Sequence, residues 1–436
     1  MDNLFEEPPY PRMDMDRKPK KANPILVPLM LGGSYAPFLL SNSRIKKINC
    51  KGLKRPYIVI SSHASFADFQ VAVKASFPHR PNWICSIEEF NRSEWLMRNV
   101  GCFPKRKFTT DLSLVEHVMW MMKRKRILYI YTEARFSLAG INERVDPALG
   151  RLIKTCKVPC VVMINHGHFI RSPQWSKKPY RRIPLRSSFE QIVTREEAGA
   201  LSSEEIQKRI ERKFVYNDYE YQRIEGFKVT SKHTMDNIHK ILYKCPHCGK
   251  EYEMEGKGTS VVCRHCGATY DMDVYGVLKN RNGETKFTSV PDWYRWERGE
   301  VQKEVASGKY KFEDDVMVEE LFKPKIGFVP VGKMHLVHDY EGLRLIETHE
   351  DGSQTLFFER KTADMPSIHI EYFFKNHAKQ VGSAIDIANT ERTFFAWLIN
   401  KKEALTRLHF AVEAVYDLKK KQFYGSRTSA PKTLAE

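Results

Sequence analysis

Hydrophobic and polar positions follow two different rhythms along the chain. Between about residues 55 and 215, short apolar runs alternate with stretches in which apolar residues recur every three or four positions. We predict buried strands at PYIVIS, WICSI, RILYIY and VPCVVMI, and helices at FADFQVAVKAS, EEFNRSEWLMRN and DLSLVEHVMWMMKRK. Strands that alternate with helices in this way are typical of an α/β domain, in which a largely parallel sheet is flanked by helices.

The first forty residues differ from this pattern. Residues 1–22 are charged and proline-rich, and we predict that they are disordered. Residues 23–40, NPILVPLMLGGSYAPFLL, are apolar but contain prolines and a glycine pair, which disfavour a helix that crosses a bilayer. We interpret this stretch either as a buried segment or, because basic residues follow it, as a segment in a membrane interface. The predicted α/β domain extends over residues 23–235.

Three further segments are predicted after the α/β domain. Residues 240–280 are strand-rich and carry cysteines, and residues 281–315 form a helical linker that includes WYRWERGEVQKEVAS. Residues 316–436 consist of short alternating strands with glycine-marked turns, followed by a helix near 389–421. This pattern predicts a small antiparallel β domain with a terminal helix, and a pleckstrin-homology-like barrel is one architecture that fits it.

Charge narrows the classes of partner. The chain of 436 residues has 71 Lys and Arg against 53 Asp and Glu, a formal net charge of +18. Its 42% hydrophobic content is that of a folded protein of two or three domains, which excludes a disordered chain. A positive excess of this size indicates an anionic partner, which is nucleic acid, an anionic membrane surface or a phosphorylated substrate. Charge alone does not choose among them.

Four of the nine cysteines have the spacing of metal ligands. Two C-x2-C pairs separated by fourteen residues are formed by Cys245, Cys248, Cys263 and Cys266. Four thiolates in this arrangement predict a closed tetrahedral site for structural Zn²⁺, and the region resembles a zinc ribbon. A redox dithiol and an iron–sulfur centre are the alternatives. Since the start of the chain has no signal-peptide pattern and the cysteines are too few for a disulfide scaffold, we expect a reducing, cytoplasmic location.

The stretch SSHASFADFQ, residues 61–70, comes directly after the predicted strand PYIVIS and has two interpretations. In the first, Ser65 and Asp68 form a capping box, and Asp68 only helps to begin a helix. In the second, His63 lies at the carboxyl end of a parallel strand, where the sites of α/β proteins form, and Asp68 orients its ring. A histidine held in this way is a general base that needs no serine partner.

Three more blocks follow in order. GCFPKRKF, residues 101–108, is a basic turn; TEARFS, residues 132–137, follows the strand ILYI; and Val158-Pro159 begins the next strand. Together with HASFAD, these blocks resemble those of the glycerolipid acyltransferases of the lysophosphatidate acyltransferase type, over roughly residues 25–225. The third block departs from the P-E-G-T-R-S of that family, because its arginine follows the glutamate by two positions instead of three and alanine replaces the glycine.

The resemblance implies direct acyl transfer in phospholipid biosynthesis. His63 would act as the general base and Asp68 would orient it, with acyl-CoA or acyl-carrier protein as the acyl donor. The acceptor would be a lysophospholipid, foremost 1-acyl-glycerol-3-phosphate, whose phosphate would be bound by basic side chains. The residues that the resemblance assigns to substrate binding are Arg106, Lys107, Glu133, Arg135 and Ser137.

The remaining alternative is a zinc-ribbon protein that binds nucleic acid or acts as a scaffold, without acyltransferase activity. The basic residues are spread along the chain and no nucleic-acid recognition motif is visible, so a nucleic-acid partner is disfavoured. We therefore expect a cytoplasmic enzyme that is peripherally associated with the membrane. Its partners would be an anionic membrane surface, the acceptor and the acyl donor. The sequence does not determine the oligomeric state.

Overall fold

The chain forms two compact units in the computed structural model, which describes residues 12–26, 42–91, 93–109, 111–176, 183–323 and 327–428. Arg12–Lys105 and Asp111–Tyr294 form the first, the parallel-sheet unit, and Arg106–Thr110 with Arg295–Glu436 belong to the second, the antiparallel-sheet unit. Residues 1–11 of the predicted disordered segment and residues 27–41, in and next to the predicted apolar segment, lie outside the described residues. Within the described ranges, no helix is both long enough and apolar enough to cross a membrane.

A mixed α/β arrangement forms the first unit, as the alternating pattern predicts. Its strands are β1 (Arg44–Ile48), β2 (Tyr57–Ser61), β3 (Asn82–Ser86), β4 (Cys102–Lys105), β5 (Ile127–Tyr131), β6 (Cys160–His166) and β7 (Arg186–Val193). They form one sheet in the order β1-β7-β6-β2-β5-β3-β4. All neighbouring pairs are parallel except β6 and β7, so the prediction of a largely parallel sheet is confirmed.

The helices described beside this sheet are α1 (Ala67–Ser76), α2 (Glu94–Asn99), α3 (Leu112–Lys123), α4 (Leu149–Cys156), α5 (His168–Arg171), α6 (Arg195–Ala200), α7 (Ser203–Lys213) and α8 (Asp218–Glu225). Their sequences supply the caps that free helix ends need. Asp111 accepts hydrogen bonds from two backbone N–H groups at the start of α3, and Thr194 and Glu197 form a capping box at α6. Apolar side chains of α3, α4 and α7 pack with those of the central strands in one hydrophobic core.

The centre of the sheet determines where a site can form. β2 is buried along its whole length and pairs with β5 on one side and with β6 on the other. Because these three strands run in the same direction, the residues that follow Ser61, Tyr131 and His166 come to one edge of the sheet. We call this the carboxyl edge and the opposite one the amino edge.

The segment before β1 is attached to the parallel-sheet unit through its backbone. Arg98 donates a hydrogen bond to the carbonyl oxygen of Asp14 at 2.7 Å, and Asn82 donates one to that of Lys20 at 2.6 Å. The part of the N-terminal segment that the structure describes is therefore held by contacts with this unit.

The cysteine-bearing region is a small sheet of its own. Strands β8 (Met254–Lys257), β9 (Ser260–Cys263), β10 (Thr269–Met272) and β11 (Leu278–Asn280) are antiparallel and lie in the order β11-β10-β9-β8. Each strand has only three or four residues, so this region buries little apolar surface.

The second unit is an antiparallel sheet followed by a helix, as predicted. Its strands are β12 (Phe312–Lys323), β13 (Gly327–His338), β14 (Gly342–Thr348), β15 (Gln354–Lys361), β16 (His369–Lys375), β17 (Val381–Ala388) and β18 (Thr393–Leu398). Their order is β15-β14-β13-β12-β18-β17-β16. Helix α9 (Val290–Ala306) precedes the sheet and α10 (Leu405–Thr428) follows it. The likeness to a pleckstrin-homology barrel stays a prediction.

The start of the terminal helix was predicted wrongly. The expected helix near 389–421 begins instead at Leu405, because TFFAWL is a strand that pairs with β12 and β17. Its five apolar residues are compatible with either structure, and the strands on both sides decide between them.

Candidate functional site

The loop after β2 holds His63 against Asp68. His63 Nδ1 lies 3.2 Å from Asp68 Oδ2. The His63 ring stacks on Tyr131 with the ring centroids 4.1 Å apart, and Phe136 contacts it from 4.2 Å. The side chain is 22% exposed, and no hydrogen bond of Nε2 is found within the described part of the chain. With the Nδ1 proton directed at Asp68, Nε2 is left as the basic nitrogen that a solvent-borne molecule can reach.

Asp68 is completely buried at the start of α1. Its Oδ2 also accepts hydrogen bonds from the backbone N–H groups of Ala64 at 2.5 Å and Ser65 at 2.9 Å. The predicted capping role is therefore partly correct, since the carboxylate does bind free backbone donors. The helix nevertheless begins at Ala67, with Phe66 rather than Ser65 at the N-cap. The carboxylate of Asp68 thus stabilises the turn and contacts His63 at the same time.

A second histidine, which the sequence analysis did not select, contacts the other oxygen of Asp68. His168 Nδ1 lies 2.6 Å from Asp68 Oδ1, and both side chains are completely buried. Burial raises the pKa of Asp68, but the charge and hydrogen bond of His168 and the hydrogen bond of His63 outweigh it and hold this pKa below its usual range. Asp68 is therefore a carboxylate between two imidazoles.

His168 reaches this position because β6 turns directly into α5. Gly167 makes the turn at a φ of 81°, where a Cβ would lie 2.8 Å from the carbonyl oxygen of Pro184. The sequence signal was present as NHGH after the strand VVMI. This motif points to Asp68 only once the strand order is known, because that order places β6 next to β2.

A second carboxylate lies beyond His168. Asp218 is completely buried; its Oδ2 accepts a hydrogen bond from the N–H of Phe169 at 3.0 Å, and its Oδ1 lies 4.0 Å from His166 Nδ1. Burial raises the pKa of Asp218 to about 7 and lowers that of His166 to about 4. The pKa values of the two buried aspartates at this edge are thus shifted in opposite directions. Asp68 stays ionised, and Asp218 is close to titration at neutral pH.

The TEARFS turn is hydrogen-bonded to the loop that carries His63. Glu133, which is buried, accepts hydrogen bonds from the N–H of His63 at 3.1 Å, from the N–H of Glu143 at 2.7 Å and from the hydroxyl of Tyr216 at 2.9 Å. Burial, together with the charge of Glu143, raises the pKa of Glu133 to about 8. The N–H of Ser137 donates to the carbonyl oxygen of His63 at 2.7 Å. Glu133 and Ser137 thus bind the backbone N–H and the backbone carbonyl oxygen of His63, and so fix its backbone on both sides of the Cα atom.

Arg135 lies in the same turn and faces an acid. Its Nη2 is 3.5 Å from Glu143 Oε2, and both side chains are almost completely buried. Ala134, which takes the place of the family's glycine, has a φ of 53°. Ala134 therefore adopts the left-handed conformation that the turn requires, at a cost of about 1 kcal/mol relative to glycine.

Arg106 and Lys107 belong to the antiparallel-sheet unit. Arg106 Nη1 donates to the carbonyl oxygen of Thr390 at 2.9 Å, while Lys107 Nζ lies 3.0 Å from Glu371 Oε1 and 3.2 Å from Asp386 Oδ2. The structure thus brings together His63, Asp68, Glu133 and Ser137, with Arg135 in the same turn. Arg106 and Lys107 have their partners within the antiparallel-sheet unit, to which they belong. The binding of substrate by any of these residues stays a prediction.

Replacing Lys107 by methionine is expected to destabilise the antiparallel-sheet unit. The substitution removes the cation that Glu371 shares with the buried Asp386, and breaking a buried ion pair costs about 3–5 kcal/mol. Hydrogen exchange of β16 and β17 measures this locally, which suits a protein of two units better than one global transition. Lys375→Met, an exposed lysine on β16, is the control. Equal protection in both variants would show that the cluster does not stabilise the sheet.

The four predicted metal ligands meet at one end of the small sheet. Their Sγ atoms all lie within 4.8 Å of one another, with Cys245 and Cys266 3.7 Å apart and Cys248 and Cys263 3.8 Å apart. Sulfur atoms that are 2.3 Å from a zinc ion at the corners of a tetrahedron are about 3.8 Å apart. The cluster is thus compatible with one Zn²⁺ and offers no open position, which assigns such an ion a structural role.

Comparison with known proteins finds a similarity among solved structures. No protein-family model and no curated protein matches the chain. Among solved structures, it is similar to the 1-acyl-sn-glycerophosphate (LPA) acyltransferase PlsC from Thermotoga maritima, with 15% identity and a TM-score of 0.34. The similarity covers 43% of this chain and 77% of that chain. A score this low carries no argument about function, which has to come from the site itself.

Proposed function

We propose that the protein transfers an acyl chain from a thioester donor, acyl-CoA or acyl-carrier protein, to the free hydroxyl of a lysophospholipid. The observation that carries this proposal is the His63–Asp68 pair, with Nδ1 bound to a buried carboxylate and Nε2 open. The pair stands at the carboxyl edge of a largely parallel sheet, where α/β proteins place their sites. The order of the four sequence blocks supports the same activity.

In the proposed reaction, His63 Nε2 removes the proton of the acceptor hydroxyl as the oxygen attacks the thioester carbonyl. The new C–O bond forms while the C–S bond breaks, and the proton on the imidazolium passes to the leaving thiolate. Asp68 stabilises the imidazolium and keeps the ring in one tautomer. Because Glu133 and Ser137 fix the peptide of His63, Nε2 keeps its direction through the cycle. No covalent enzyme intermediate is required.

We further propose 1-acyl-glycerol-3-phosphate as the acceptor. Arg135 would share its guanidinium between Glu143 and the acceptor phosphate. Arg106 and Lys107 are proposed as phosphate ligands on the resemblance alone. Phe66, three residues after His63, is 60% exposed and offers an apolar contact for an acyl chain. Together with the net charge of +18, this supports the proposal of peripheral association with anionic membranes.

Release of thiol from a long-chain acyl-CoA tests the proposal. We expect release only when a lysophospholipid is present, with the diacyl product identified by mass spectrometry. Lysophosphatidate, lysophosphatidylcholine and glycerol 3-phosphate are compared as acceptors, and the first should be the best. Release that is independent of any acceptor would indicate a thioesterase, and no release with any acceptor would contradict acyl transfer.

His168 is expected to act as a positioning residue, which a pH profile can detect. In His168→Asn, Asp68 loses the partner that most lowers its pKa, so the pKa of Asp68 rises. Because Asp68 orients His63 only as a carboxylate, the acid limb of kcat/KM should move to higher pH by about one unit, equivalent to 1.36 kcal/mol. His166→Asn, on the same strand end, is the control. A loss of activity that is equal at every pH would assign His168 a merely structural role.

A further inference from the structure

A basic pocket lies on the parallel-sheet unit, apart from the His63 site. Its cavity volume is about 200 Å³, and it is lined by Lys21, Arg55, Arg80, Arg124, Lys125 and Arg126. His79 also lines it, and none of the described residues in the lining is acidic. The six fixed cations come from four separate parts of the chain, so the fold assembles the pocket.

Among the residues that the structure describes, none of the six cations forms an ion pair with a carboxylate. Arg80 and Arg126 are held instead by the carbonyl oxygens of Ala22 and Pro19, each at 2.9 Å. Burial and the positive charges of Arg80, Arg55 and Arg126 lower the pKa of Lys21, which reflects mutual repulsion in the pocket. Like charges held together without counter-charges cost free energy that a bound anion would recover.

The pocket is at the amino edge of the sheet. Arg55 and Arg80 come two residues before β2 and β3, and Arg126 comes directly before β5. These strands are parallel and adjacent in the sheet, so their amino ends converge. His63 follows the other end of β2. The pocket is therefore separated from the proposed acyl-transfer site by the length of a strand and cannot be its phosphate subsite.

We propose that this pocket binds a compact ligand with several adjacent phosphate groups. A phosphate monoester carries a charge of about −1.5 to −2 at neutral pH, so roughly three such groups balance six fixed cations. The carboxyl ends of α1 and α3 also point to this edge, and each contributes about half a negative charge, which offsets only a small part of the excess. A concave pocket of this size suits a polyphosphate chain or a polyphosphorylated headgroup better than the extended backbone of a nucleic acid.

Calorimetric titration of the full chain with inorganic tripolyphosphate tests the proposal directly. We expect saturable binding that is at least tenfold tighter than that of inorganic phosphate and that weakens as salt is added. Lys21→Gln with Arg55→Gln should weaken binding at least tenfold. Both side chains are exposed, so the fold should persist. Arg124→Gln with Lys125→Gln removes two charges from another part of the pocket and should give the same loss.

The matched control is Lys257→Gln with Lys279→Gln, which removes two exposed lysines from the small cysteine-bearing sheet. It should leave binding within twofold of the unsubstituted protein. Equal losses in control and pocket variants, or no binding of tripolyphosphate, would overturn the proposal.

Vesicles distinguish the two sources of the ligand. Binding to vesicles with phosphatidylinositol bisphosphate, but not to phosphatidylserine vesicles of equal charge, would identify a lipid headgroup, provided that tripolyphosphate competes. Tripolyphosphate binding without vesicle binding would identify a soluble polyphosphate. Tight binding of duplex DNA that the pocket variants lose, with no binding of tripolyphosphate, would replace the proposal with a nucleic-acid site. None of these outcomes depends on acyltransferase activity.

Discussion

His63→Ala should lower acceptor-dependent acyl transfer by about a thousandfold, within the range of 10²–10⁴ that a general base contributes. The reason is that His63 Nε2 is the open nitrogen of a His–Asp pair that stands at the carboxyl edge of the sheet, directly after β2. The effect should fall on kcat rather than on KM, because the imidazole acts mainly in the transition state. The rate of thiol release with saturating acceptor and donor measures it.

A second His–Asp pair provides the control for this substitution. His233 Nδ1 lies 3.0 Å from Asp236 Oδ2, but this histidine is 45% exposed and stands on no strand end. His233→Ala should leave the rate unchanged. Asp68→Asn is a less clean test, since Asp68 also binds the N–H groups of Ala64 and Ser65. If His63→Ala retains full activity while it remains folded, the pair is a structural turn and the proposed mechanism is wrong.

Removal of the metal is expected to unfold the small cysteine-bearing sheet. The purified protein should contain one zinc per chain, and a strong chelator or Cys248→Ser should abolish the hydrogen-exchange protection of β8–β11. Four short strands bury too little apolar surface to fold alone, whereas structural zinc supplies about 10–16 kcal/mol at neutral pH. Protection of β2, β5 and β6 should persist, because their core lies elsewhere in the unit.

Trp293 offers an optical signal for the same event. It is completely buried; its indole N–H donates to the carbonyl oxygen of Lys244 at 3.0 Å, and its ring lies 5.1 Å from that of Tyr270. Its emission should move to longer wavelength when the metal leaves, and Trp293→Phe identifies that component. Cys156→Ser, outside the cluster, is the control for loss of a thiol. A zinc-free protein with fully protected β8–β11 would refute the metal site.

The sequence was most informative where structure is local. PYIVIS, RILYIY and VPCVVMI became the three central strands because continuous apolar runs between turns leave a buried strand as the best solution. β1 and β7 were not predicted, since RIKKI and RSSFEQIV mix charged and apolar positions. Only the finished sheet shows that they lie at its periphery, where such mixtures are stable.

The site was predictable only in part for a related reason. The His63–Asp68 contact spans five residues and can be inferred from one loop, but His168 meets Asp68 across a hundred residues of chain. That contact depends on which strand lies beside β2, and no local pattern specifies strand order. The partners of Lys107, Glu371 and Asp386, are more than two hundred residues away and are equally hidden.

The outermost strands of the parallel sheet affect how the protein behaves at high concentration. In the described part of the chain, β1 and β4 are the outermost strands. β1 carries Arg44, Lys46 and Lys47, and β4 contains Pro104, which has no N–H to offer. Repelling charges on one side and a missing donor on the other discourage a second copy from adding its own strand. The sheet can therefore keep a long apolar centre without promoting aggregation through its outermost strands.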